Sequence, residues 1–261
     1  MKLFRFELLE DPGVARSGMV YGGKVYETSG AEAVAVHEAE NVRPLPPLPH
    51  AASLRIFRSD LQPVQITETD EPRYFYGNTC SLQGASTLVE LRDFSFEWEA
   101  ECYVAAIIGE ATLTEVDSDE AESYILGYTM VTLLVARDVE REERRLGVGF
   151  GRSYDLVGTI GPVITTPDEL EEHVEEFDRG RKFGLEVRLQ VNNVEVERGN
   201  LNELPITFAQ AIASASRSAG LRVGDVIALG PIVTPTAALD PADQVLLSVE
   251  KLGALATKLA P

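Results

Sequence analysis

Only two cysteines, Cys80 and Cys102, occur in 261 residues, and their spacing matches neither a C-x-x-C redox pair nor a zinc-binding set. A disulfide framework is therefore excluded as the basis of the fold. A single Cys80–Cys102 bridge stays open, with a reduced chain as the simpler reading. Positive charge is also scarce: 23 Lys and Arg stand against 42 Asp and Glu, a net charge of −19. Such a surface repels phosphate backbones and anionic lipid, so nucleic-acid and membrane partners are not expected. No apolar run reaches the roughly 18 residues a membrane helix needs. The start, Met1-Lys2-Leu3-Phe4-Arg5-Phe6-Glu7, carries charge where a signal peptide would be apolar. The expectation is a soluble, unprocessed, cytoplasmic protein.

What is present is core-forming material, with 44% hydrophobic residues. Residues 2–8 and 19–27 read as short strands, the second folded back at Gly22-Gly23. Between 43 and 49 lie four prolines, which fix φ and remove donors, so neither a helix nor a central strand continues through them. We expect a small N-terminal β domain over 1–43 and a core domain over 44–261. Beyond the prolines, β-branched and aromatic runs predict strands at 53–58, 73–76, 87–92, 96–108, 127–137, 161–166, 183–191, 194–198, 225–229 and 244–249. Helices are predicted at 117–125, 167–176 and 205–218. The expected fold class is β-rich α+β.

Acidic clusters at 115–122, 140–143 and 168–176 read as solvated faces. The run Glu97-Trp98-Glu99-Ala100-Glu101 is different, because it leads into the apolar Cys102-Tyr103-Val104-Ala105-Ala106-Ile107-Ile108. On a strand Glu99 and Glu101 share a face about 7 Å apart, a spacing a hard cation bridges when a third carboxylate joins. Gly147-Val148-Gly149-Phe150-Gly151-Arg152-Ser153-Tyr154-Asp155 has amides free to cradle an anion, but neither phosphate-loop nor dinucleotide spacing, and reads as a loop near a pocket. Of His37, His50 and His173, His37 beside Glu38 is the one candidate for acid/base work. The two cysteines lack basic sequence neighbours and read as inert thiols.

From Pro47 onward the order of motifs resembles the fumarylacetoacetate hydrolase family. The matching pieces are Gly127-Tyr128-Thr129, Ala136-Arg137-Asp138, Gly151-Arg152-Ser153-Tyr154-Asp155, Gly161-Pro162, Ile164-Thr165-Thr166-Pro167-Asp168-Glu169-Leu170, Leu189-Gln190-Val191-Asn192-Asn193, Leu221-Arg222-Val223-Gly224-Asp225 and Val249-Glu250-Lys251-Leu252-Gly253. The resemblance spans about residues 44–260 and implies a rolled, mixed β-sheet core and a homodimer. It also implies a Mg²⁺ ion held by Glu-x-Glu on one strand and Asp on the next, polarising a small 2-oxo or β-dicarbonyl carboxylate for hydrolysis, decarboxylation, hydration or tautomerisation.

Carried over residue by residue, that ligand set is incomplete. The pair is Glu99 and Glu101 with a two-residue gap, or Glu101 and Tyr103 without one, and the Asp position is Leu133. The acid/base histidine expected between Ile56 and Thr69 is missing. The segment Tyr74-Phe75-Tyr76-Gly77-Asn78 lacks the expected lysine, Arg152 replaces another lysine, and Leu229-Gly230-Pro231 lacks a threonine. Two readings follow. One is a divergent enzyme on a small carboxylate, without a cofactor or with Mg²⁺ at Glu99 and Glu101. In it Glu101 and Tyr103 are catalytic, Arg152 joins them, and Arg137, Arg152 and Asp155 bind substrate. The other is a non-catalytic ligand-binding or partner subunit on the same scaffold.

Overall fold

A computed structural model describes residues 1–62, 71–85, 87–112, 114–156, 158–177, 179–234 and 238–261. Strands β1 (Lys2–Leu8), β2 (Asp11–Tyr21), β3 (Lys24–Ser29) and β4 (Glu32–Glu38) form an antiparallel meander, and β5 (Val42–Pro44) returns to β1. After the prolines come β6 (Leu54–Arg58), β7 (Phe75–Gly77), β8 (Leu82–Gly84) and β9 (Leu88–Val89). The long pair β10 (Trp98–Ile108) and β11 (Ile125–Ala136) flanks the one-turn α1 (Ser118–Ala121), and α2 (Arg137–Leu146) follows directly. Then come β12 (Gly158–Thr165), the hairpins β13 (Val174–Phe177) with β14 (Gly180–Phe183) and β15 (Glu186–Val191) with β16 (Val194–Asn200), and α3 (Phe208–Ser218). Strands β17 (Val226–Val233), β18 (Gln244–Val249) and β19 (Gly253–Leu259) complete the chain.

Among the described residues these assemble into a twelve-stranded mixed sheet with the path β4-β3-β2-β1-β12-β11-β10-β17-β6-β7, and a five-stranded sheet β16-β15-β18-β19-β9. The expected β-rich α+β class is what forms. The N-terminal meander continues the main sheet, because β1 pairs with β12 at Lys2–Thr165 through Phe4–Val163.

The alternation of β10 organises the interior. Its even residues, Ala100 to Ile108, join the larger core with the alanine-rich face of α3. That helix is secured by a capping box in which the Gln210 amide donates to Thr207 Oγ1 at 3.1 Å and the Thr207 amide to Gln210 Oε1 at 2.9 Å. The odd residues face a second cluster containing Leu54, Ile56, Tyr103, Val131, Leu133, Val135 and Tyr154.

Several elements differ from the sequence-based expectation: β4, β8 and β19 fall outside the expected strands, and the 117–125 helix shortens to α1 and a 3-10 turn at Glu122–Tyr124. Residues 167–176 form a 3-10 segment, Pro167–His173, that passes into β13, since Leu170 is the one buried residue there and no apolar stripe supports an α-helix. The 87–92 strand contracts to β9. Helix α2, which periodicity does not reveal, occupies 137–146, and its buried positions are Glu140 and Glu143. The 140–143 cluster is thus not simply a solvated face. The expected acid/base segment between Ile56 and Thr69 is described as far as Gln62, and its remainder lies outside the described residues.

Most ion pairs on this surface are exposed, such as Arg188 with Glu186 and Arg198 with Glu195. Each contributes about 1 kcal/mol or less, whereas the −19 excess repels itself over distances that salt shortens. The melting temperature is therefore expected to rise by several degrees between about 0.1 M and about 2 M KCl. A fall measured by calorimetry would mean that the surface pairs outweigh the repulsion.

Candidate active site

Strand alternation delivers charge to one face of the main sheet. On β6, Leu54, Ile56 and Arg58 share a face, and the first two lie in the cluster around Tyr103. On β10 the same face carries Glu99, Glu101 and Tyr103, and on β11 Val131, Leu133 and Val135. Arg137, the first residue of α2, reaches back to this side. Register sets Glu101 directly opposite Leu133 and Tyr103 opposite Val131. The three positions that the resemblance assigns to cation ligands without a gap, 101, 103 and 133, are therefore adjacent, and one of them carries a carboxylate.

Glu101 is fully buried and its carboxylate is surrounded by donors. The phenols of Tyr103 and Tyr154 both donate to Oε2, the latter at 2.9 Å. Oε1 faces Arg137 Nη2 at 2.8 Å and Arg58 Nη1 at 3.4 Å. Arg58 Nη1 also lies 2.7 Å from Glu140 Oε1 and donates to the Tyr154 hydroxyl, while its Nε donates to Asp60 at 2.8 Å. Arg137 donates to Glu99 at 2.7 Å and to Glu140 at 2.5 Å, and Arg144 lies 2.9 Å from Glu140. The guanidiniums of Arg58, Arg137 and Arg144 thus stand among the carboxylates of Asp60, Glu99, Glu101 and Glu140.

Burial disfavours the charged form of Arg58 and of Arg137, but the facing Glu101 carboxylate and its neighbours outweigh it and hold both guanidiniums above their ordinary pKa. Burial likewise works against ionised Glu140, yet its hydrogen bond from Arg137 and the charge of Arg58 bring its pKa below the ordinary 4.5. Burial first, and the Glu101 charge second, push the Tyr103 and Tyr154 phenols up, so both remain O–H donors.

Leu133 fills the space beside β12, where a Cβ on Gly158 would sit 2.7 Å from Leu133 Cδ2. Tyr103 has room because Gly230 has no side chain: a Cβ there would meet the ring at 2.7 Å. A carboxylate accepts about four hydrogen bonds, and Glu101 already faces four donor groups. Among the described residues no group of three or more His, Cys, Asp or Glu side chains is arranged to hold a metal ion. At positions 101, 103 and 133 the donor set does not fit a divalent cation, since a leucine and a phenol stand beside one carboxylate that faces two guanidiniums.

The other sequence candidates lie apart from Glu101. Arg152 is exposed, its guanidinium 4.8 Å from the Phe94 ring. Asp155 is exposed and accepts from Asn78 at 2.8 Å. The glycine loop does cradle an anion, and the anion is Glu143: its Oε1 accepts the amides of Gly151 at 3.2 Å and Arg152 at 2.8 Å, and Ser153 donates to its Oε2. His37 pairs with Glu27 at 2.8 Å in the N-terminal meander. Cys102 is buried, its thiol pushed up to about 12 by burial, and Cys80 is exposed. Sequence reasoning passed over Arg58, Glu140 and Tyr154. The Arg137, Glu140, Arg144 spacing on one helix face was the available signal.

The model for the C-terminal region of fumarylacetoacetate (FAA) hydrolase matches residues 50–260. The chain belongs to the fumarylacetoacetate hydrolase family. An uncharacterized protein of Pyrococcus abyssi is 30% identical over 71% of this chain and 78% of its own length. The oxaloacetate tautomerase YisK of Bacillus subtilis is 22% identical over 73% of this chain and 62% of its own length, so the match spans less than two thirds of that relative. Among solved structures, maleylpyruvate hydrolase from Sphingobium sp. SYK-6, in complex with manganese(II) and pyruvate, has the same fold with a TM-score of 0.74, 21% identity and coverage of 100% of this chain and 99% of that one. The family fold is thus retained.

Removing one partner of this buried ion cluster strands the others, which costs about 3–5 kcal/mol. Arg58→Ala is expected to lower unfolding free energy by that amount in urea melts, against about 1 kcal/mol or less for Arg188→Ala in an exposed pair. Because the folded pKa of Glu140 lies below its unfolded value, its contribution is complete above about pH 4.5 and is lost as pH falls through the folded pKa. Glu140→Gln should flatten stability against pH on that acid limb, and an unchanged slope would assign the limb to other carboxylates.

Proposed function

We propose that this family member does not run a cation-dependent reaction, and that it serves as a non-catalytic binding or partner subunit built on the scaffold of a small-carboxylate enzyme. The observation that carries this reading is the enclosure of Glu101 beside Leu133: Tyr103 and Tyr154 donate to Oε2, while Oε1 makes no hydrogen bond and faces the Arg137 and Arg58 guanidiniums as an ion pair. The two buried guanidiniums facing Oε1 repel a divalent ion that would approach it. Arg58 and Arg137 are also neutralised by Glu99, Glu101, Glu140 and Asp60, which leaves little unmatched positive charge for a substrate carboxylate.

A second reading is favoured by one contact. Tyr103 and Tyr154 hold protonated phenols against Glu101, a donor and carboxylate arrangement that can move a proton in enol–keto exchange without a metal. Under it the ligand is a small enolisable 2-oxo or β-dicarbonyl carboxylate, the class that includes the oxaloacetate named for the Bacillus relative.

The readings separate in one assay series. Purified protein is mixed with oxaloacetate and acylpyruvates, and tautomerisation, decarboxylation and C–C cleavage are followed with Mg²⁺, with Mn²⁺ and with EDTA. The first reading expects rates at the uncatalysed background in all three conditions. EDTA-resistant tautomerisation that falls at least about a hundredfold in Tyr103→Phe would establish the second. Turnover that requires Mg²⁺ or Mn²⁺ and disappears in Glu101→Gln would overturn both.

A further inference from the structure

We infer that Arg58, Tyr103 and Leu133 form one compensating set in which the Arg58 guanidinium, a single fixed positive charge, serves as countercharge in place of a divalent ion, and so determines that this centre excludes one. The inference rests on the metal-free reading above and identifies the residue responsible for it.

Positions 101, 103 and 133 meet on one sheet face by strand register. With Leu133 and Tyr103 in place, Glu101 is the one carboxylate among them, and a fully buried carboxylate requires a cationic partner. Arg58 is the last residue of β6, placed beside Gly230 of β17 by the parallel register. From there its buried side chain brings Nη1 to 2.7 Å from Glu140, 3.4 Å from Glu101 and into hydrogen-bond contact with Tyr154. The same guanidinium lies 5.8 Å from the centres of the Phe150 and Tyr154 rings, so aromatic faces flank it as well as acids. A tethered single positive charge ringed by oxygen atoms offsets part of the acid charge, and it repels any ion entering the same space.

The three substitutions make physical sense together and not singly. An acid at 133 or 103 with Arg58 present would pair with the guanidinium and leave no site. Loss of Arg58 without new acids would leave Glu101 with Arg137 alone as its countercharge, whereas Glu140 would keep Arg137 and Arg144. Tyr103 fits the arrangement because its single phenolic proton is donated to Glu101, while the Gly230 backbone leaves room for the ring.

The test uses Mn²⁺ as the probe, with electron paramagnetic resonance to count bound ion in six proteins: the native chain, Tyr103→Glu/Leu133→Asp, Arg58→Ala/Tyr103→Glu/Leu133→Asp, and each of these three with Glu101→Gln. Because the surface is acidic, the site counted in each background is the one that vanishes with Glu101→Gln. The native chain should show none. The triple variant should gain one Mn²⁺ and a melting temperature that rises with Mn²⁺ and falls back with EDTA, and its affinity should exceed that of the double variant at least about tenfold. A Glu101-dependent site in the native chain would overturn the metal-free reading and this inference together. Equal affinity with and without Arg58, or a folded triple variant that binds nothing, would overturn the inference alone. Should the triple variant fail to fold, Arg58→Gly in the native background decides. Millimolar methylguanidinium should restore its melting temperature where equimolar urea does not, and absence of that rescue would overturn the assignment of Arg58 as a replaceable cation.

Discussion

A carboxylate in the middle of a fully covered strand must be neutralised inside the protein, and Glu101 imposes that condition on everything around it. Burying an unpaired charge costs far more than the few kcal/mol by which domains are stable, so the strand that carries Glu101 folds only if cationic and donor groups arrive with it. They arrive by strand alternation. Arg58 ends β6 on the face shared with Leu54 and Ile56, Arg137 follows the last residue of β11, and Tyr103 lies two residues along β10. Glu140 then joins Arg58 to Arg137 from the first turn and a half of α2, and Arg144 adds a third guanidinium.

This condition explains the form of α2. Its sequence, Arg137-Asp138-Val139-Glu140-Arg141-Glu142-Glu143-Arg144-Arg145-Leu146, contains almost no apolar residue, yet it packs on the sheet. The side it buries is acid: Glu140 against Arg58 and Arg137, and Glu143 against the amides of Gly151 and Arg152 and the Ser153 hydroxyl. Gly147 ends the helix in the left-handed region at φ 68°, which lets the loop curl back over Glu143. The glycine-rich loop therefore binds an anion belonging to its own chain, and the helix is held by ion pairing at two points where most helices use leucine.

How much of this was legible follows from the same physics. Strands β6, β10, β11 and β18 were readable because each is a run of β-branched or aromatic residues, and α3 because its apolar positions recur at helical spacing. Helix α2 was not, since hydrophobic periodicity cannot detect a buried face made of glutamates. At the site, motif order led to positions 101, 103 and 133, and the register of β10 on β11 brings them together. Arg58 was missed because its partners are distant in sequence: Glu101 is 43 residues away, Glu140 is 82, and Tyr154 is 96. An arginine at the end of an apolar strand has no local signature of its role. The absence of histidine near Ile56 was visible, whereas what stands in the space was not.

The proposed use of a guanidinium in place of a metal ion has an energetic logic separate from any loss of activity. An ion is bound at a cost that depends on its concentration, so a site that needs one is stable only while the ion is available. A covalently attached cation removes that dependence, but it also fixes the charge in place and satisfies acceptors that a ligand would otherwise contact. In Glu101 both consequences meet at one side chain. The carboxylate is secured without an external ion, and the two oxygens that would have held one are directed at Tyr103, Tyr154, Arg58 and Arg137. Stability of the centre and openness to a chelating substrate draw on the same carboxylate, and in this chain the phenols hold Oε2 while the guanidiniums face Oε1.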